Sequence, residues 1–109
     1  MTKNEIVAKF VGFTDNPKHS DWLLTPQGQD LKYKAFNYAK DKLKFNSDYN
    51  WLMEAWVKFR DLKFTKSQNV GRIHECICND ISKRITHGTI TEVFDELVKG
   101  IEWYNSLTK

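Results

Sequence analysis

Six apolar residues between positions 51 and 62 constrain this chain more than any other feature. Trp51, Leu52, Ala55, Trp56, Phe59 and Leu62 stand at offsets 0, 1, 4, 5, 8 and 11, the repeat of one face of an α-helix. Lys58, Arg60, Asp61 and Lys63 lie mostly off that stripe. A helix that gathers two Trp and a Phe on one side must bury them against a second layer. The pattern predicts a helix over 47–63, with Ser47 as its N-cap.

The partners for that face are predicted at the two ends of the chain. In the last segment Ile90, Val93, Phe94, Leu97, Val98, Ile101 and Tyr104 make a wide apolar stripe. Thr89 precedes Glu92 by three, the spacing of a capping box, in which each side chain satisfies the other's orphan backbone N–H. Thr2 and Glu5 repeat that spacing ahead of Ile6, Val7, Phe10 and Val11, with Gly12 as the stop. Asp15-Asn16-Pro17 then reads as a turn, because the residue before proline is pushed out of helical geometry.

Between these elements the pattern is weaker. Residues 18–30 read as a loop or short turn pinned by Trp22. Over 30–45, Leu31, Ala35, Tyr38, Ala39 and Leu43 recur at helical spacing with Asp30 as a cap, although Leu43-Lys44-Phe45 alternates and suits an extended end. Ile73, Ile77, Ile81 and Ile85 lie four apart, which favours a helix over 70–86, while the β-branched content also suits short strands. The expected fold class is therefore mainly α: one compact helical domain over 1–109, with three long helices and shorter pieces. A single short strand pair in 43–46 or 70–78 would make it α+β.

Composition agrees with a folded chain. At 109 residues, with 40% hydrophobic and 14% aromatic residues, it has apolar surface to bury that disordered chains lack. No apolar run reaches the ~18 residues needed to cross a bilayer, so no membrane partner is expected. Met1 to Phe13 alternates charged and apolar residues and lacks a signal-peptide core, so the expected location is the cytoplasm. Cys76 and Cys78 are too close in sequence to bridge readily and are expected to be reduced thiols.

No residue set points to catalysis, and none is assigned. His74, Cys76, Cys78 and His87 lack the paired spacing of a structural zinc site, and on a helix Cys76 and Cys78 point about 200° apart. The expectation is a partly buried thiol pair beside a surface His, with no metal and no cofactor. His74 and Cys78 are i and i+4, close enough to meet on a helix, but nothing marks the third group that would orient a nucleophile. Glu75 with Asp80, and Asp95 with Glu96, read as solvated helix surface rather than an acid–base pair. Phosphate-cradling glycine loops and serine elbows are absent from the sequence.

Charge and aromatic residues carry the remaining signal. From Lys32 to Lys44 five lysines face the single Asp41, a local +4; from Lys58 to Arg72 five cations face the single Asp61, again +4. Residues 89–102 carry a local −3. Lys32, Lys34, Lys40, Lys42 and Lys44 interleave with Tyr33, Phe36 and Tyr38, and cations beside exposed rings can grip phosphates and stack on unpaired bases. Arg60, Lys63, Lys66 and Arg72 form the second basic group. The whole-chain pI of 8.8 falls short of the ~9 that marks a dedicated nucleic-acid domain. Trp51 and Trp56 belong to the core stripe, which leaves Trp22 and Trp103 as the rings expected at a partner surface.

Three blocks together carry a resemblance: Asn4 through Gly12, Asn50-Trp51-Leu52-Met53 with the helix that follows, and Ile90 to Asn105 ending Ile101-Glu102-Trp103-Tyr104-Asn105. Their order and character resemble a set of small proteins from Bacteroidetes and their phages and prophages. Those proteins commonly read I-A-x-F-M-G at the start, W-D-W-L-M in the middle and F-I-K-W-Y-N at the end. The resemblance covers about half the chain; 65–88 departs from it, and the Lys-rich 30–45 stretch is particular to this sequence. The resemblance implies a setting rather than an activity: an accessory protein of a phage or mobile element. In such a setting the leading expectation is a non-enzymatic inhibitor of a host defence machine, of the anti-CRISPR type. Its partners would be a host CRISPR effector nuclease, an RNA-targeting type VI enzyme being a credible target, or its guide RNA. The alternatives are a small RNA- or DNA-binding accessory protein and a structural or assembly component.

Overall fold

The computed structural model describes residues 1–25, 37–64 and 68–107. Those residues form four helices and a small three-stranded antiparallel sheet. Helix α1, Lys3–Val11, starts where the Thr2 hydroxyl accepts the Glu5 N–H at 3.2 Å. It stops at Gly12, whose φ of 121° is a conformation that L side chains rarely adopt.

The chain then enters the sheet, built from β1 (Thr14–Asp15), β2 (Trp22–Leu24) and β3 (Asn37–Ala39), with β2 in the centre. The turn between β1 and β2 is set by Asn16, whose side-chain oxygen accepts the Lys18 N–H at 2.9 Å across Pro17. A 3-10 turn, Lys40–Lys42, follows β3. Helix α2 runs Tyr49–Arg60, α3 Gln68–His87 and α4 Ile90–Ser106.

α4 is the hub and packs against α1, α2 and α3. Its N-terminus carries the complete capping box: the Thr89 hydroxyl accepts the Glu92 N–H at 3.2 Å while the Glu92 carboxylate accepts the Thr89 N–H at 3.3 Å. The core joins Val7 and Val11 of α1, Leu52 and Phe59 of α2, Ile81 of α3, and Val93, Leu97 and Ile101 of α4. Gly100 lies where α2 and α3 close on α4. A Cβ there would sit 2.8 Å from the Phe59 ring and 3.0 Å from the Ile77 side chain. A second aromatic layer lies under the sheet, where the Trp51 ring meets Phe45 at 5.2 Å and Tyr38 at 5.0 Å.

The mainly-α reading with a small β component holds, and the isoleucines of 70–86 do lie on one helix, with Ile81 fully buried. The strands, however, are not where the sequence placed them. Neither 43–46 nor 70–78 is a strand, and the sheet comes from the expected loop at 22–24 and from part of the expected helix over 30–45. Tyr38 and Leu23 are cross-strand partners that share the inward face, so pairing with β2 overrides the weak helical spacing around Tyr38. The remainder of that predicted helix, 30–36, lies outside the described residues. The alternation at the end of this stretch shows as burial, with Leu43 and Phe45 buried and Lys44 exposed between them; Leu43 is extended and a turn begins at Phe45. Asp48, not Ser47, caps α2, accepting the Asn50 N–H at 2.9 Å.

Candidate interaction surface

Antiparallel pairing sorts the sheet's side chains into two faces. Leu23 is fully buried and its partner Tyr38 packs edge-on against Trp51, so that face looks into the core. The other face carries Trp22 opposite Ala39 and, one row along, Thr14, Leu24 and Asn37. Trp22 therefore stands on the central strand, on the outer side, and 40% of it is exposed. Trp51 and Trp56 are only 7% and 8% exposed. On the β3 side the partner of Trp22 is Ala39, and on the β1 side the Asn16 N–H donates to the Trp22 carbonyl at 3.4 Å.

The backbone brings lysines to the same end of the sheet. The Lys40 N–H donates to the Asp21 carbonyl at 2.8 Å, which seats the 3-10 turn Lys40–Lys42 beside the residue preceding Trp22. The Trp22 N–H donates to the His19 carbonyl at 3.2 Å, which folds the exposed Lys18–Asp21 loop onto that end. The local charges are Lys18, Lys40 and Lys42 against Asp21 and Asp41. Asp15 is already paired with Lys9 at 2.8 Å. The hydrogen bond and charge of Lys9 hold the Asp15 carboxyl below its usual value, with the Lys40 charge adding to them. Lys44 is exposed one step further on.

The second basic group is elsewhere. Lys40 to Lys44 precede α2 and Arg60 and Lys63 lie at its far end, about 18 Å along a twelve-residue helix. Arg60 pairs with Asp61 at 3.2 Å, Lys63 is exposed in the connection, and Arg72 is exposed on α3. The two basic segments thus form separate surfaces. Lys32, Lys34 and Lys66 lie outside the described residues.

Trp103 is a correction. It is half-buried, 5.8 Å from Phe64 and stacked 6.4 Å from the His74 ring. α4 is covered from three sides, so its buried face is wider than the stripe that seemed to leave Trp103 out.

His74 is a second correction: it is buried, not at the surface. Its Nε2 lies 2.8 Å from the Phe59 carbonyl oxygen, and Phe59 and Phe64 flank the ring at 5.0 and 4.9 Å. Cys78 Sγ does approach it, at 3.4 Å from Nε2. A carbonyl can only accept, so Nε2 carries the proton in that bond and has no lone pair for a thiol. Burial also pushes the Cys78 thiol up, a shift the Arg60 charge only partly opposes. Among the described residues no three His, Cys, Asp or Glu side chains gather as a metal site. Cys76 and Cys78 are free thiols, Cys76 exposed and Cys78 half-buried. No described helix is long and apolar enough to cross a membrane.

Comparison of the chain with protein-family models, curated proteins and solved structures finds no match in any of the three.

Proposed function

We propose that this chain is a non-catalytic binding protein of a phage or mobile element, acting in the host cytoplasm. It disables a host defence nuclease by occupying the surface of the nuclease or of its guide RNA. The observation that carries the reading is Trp22. Three of the four tryptophans are drawn wholly or partly into the interior, whereas this one is 40% exposed on the outer face of the central strand, where the preceding residue, Asp21, accepts the Lys40 N–H through its carbonyl. Tryptophan is favoured at the centre of protein interfaces, so a ring left 40% exposed on this face suits a partner that covers it. The lysines at the same end suit an acidic partner and speed its approach.

The resemblance to phage-borne proteins supports the setting. An RNA-guided nuclease supplies the matching chemistry, since it carries an exposed polyanion within a protein groove. The test mixes the purified chain with a guide-loaded type VI nuclease. Co-elution on gel filtration and loss of target-triggered RNA cleavage are expected. Separate elution together with undiminished cleavage would contradict the reading.

A further inference from the structure

We draw no further inference here: the strongest candidate, the apolar patch that exposed Tyr49 and Val57 form with half-buried Met53 along one face of α2, is an unpartnered helix face, and nothing in the structure shows what covers it.

Discussion

His74 of α3 caps helix α2: its Nε2 donates a 2.8 Å hydrogen bond to the carbonyl oxygen of Phe59. That carbonyl belongs to the last turn of α2, where backbone acceptors have no partner further along the helix. Phe59 also accepts from the Leu62 N–H at 3.3 Å, so the bond from His74 joins α3 to the end of α2. The pairing accounts for a buried histidine and removes its proton-bearing nitrogen from thiol chemistry.

Removing the cap has a defined cost. His74→Ala removes one donor from the Phe59 carbonyl, which keeps the Leu62 N–H, and opens a hole between Phe59, Phe64 and Trp103. The expected loss is about 2–4 kcal/mol of unfolding free energy. Urea denaturation measures it, and His74→Gln, which keeps an N–H donor, should recover part of the loss. A change below about 0.5 kcal/mol in the alanine variant would contradict this role.

Gly100 is set by close approach rather than by an unusual backbone. Alanine there meets the buried Phe59 ring at 2.8 Å and Ile77 at 3.0 Å. Overpacking costs about 1–3 kcal/mol and outweighs the roughly 1 kcal/mol that alanine gains in helix propensity. Gly100→Ala is therefore expected to lower the melting temperature, and a higher one would show that the α2–α3–α4 junction has slack.

The α4 cap predicts the acid behaviour. The bonds of Glu92 to the Thr89 backbone N–H and to Arg84, at 2.8 Å, hold its carboxyl below the usual value. Asp15 is lowered likewise by Lys9. A depressed carboxyl stabilises the fold above its unfolded pKa, near 4.5 for Glu and 3.8 for Asp, and that contribution is lost as pH falls through the folded value. Melting temperature should fall from pH 5 to pH 2, less steeply in Glu92→Gln. Separately, Thr89→Ala should cost about 1 kcal/mol at neutral pH. Identical pH profiles for wild type and Glu92→Gln would contradict the assignment.

The two thiols should separate by reactivity. Cys76 is exposed, whereas Cys78 is half-buried with its thiol pushed up by burial, so it presents less thiolate. Iodoacetamide at pH 8 followed by peptide mapping should show Cys76 modified about tenfold faster or more. Faster labelling of Cys78 would mean that His74 activates it after all.

The helices were legible because each states its own evidence. The stripe from Trp51 to Phe59, the isoleucines from Ile73 to Ile85 and the Thr89–Glu92 box all lie within one element, and each specifies that element without help from the rest of the fold. The sheet was not, because its strands are two or three residues long and their alternation has too few residues to register. What makes Asn37–Ala39 a strand is its pairing with Trp22–Leu24, a contact no local window contains. The same limit applies to the candidate surface. Trp22 and the lysines of 40–44 could be picked out as residue types, but only the register puts Trp22 on the outer face and only the backbone bond from Lys40 to Asp21 seats the 3-10 turn at that end of the sheet. Trp103 and His74 were misplaced for a related reason, since the elements that cover them are far away in sequence.

The most direct test of action by contact is stoichiometry. A fixed amount of guide-loaded nuclease is titrated with the chain while cleavage is followed, at concentrations well above the dissociation constant. Action by contact predicts a sharp end point near a fixed small ratio of chain to nuclease, recovery of activity when the complex is taken apart, and an end point lost on changing Trp22, Lys40 and Lys42 to Ala. Inactivation of many nuclease molecules by each copy of the chain, persisting after the chain is removed, would mean that a bond is made or broken and would contradict the account.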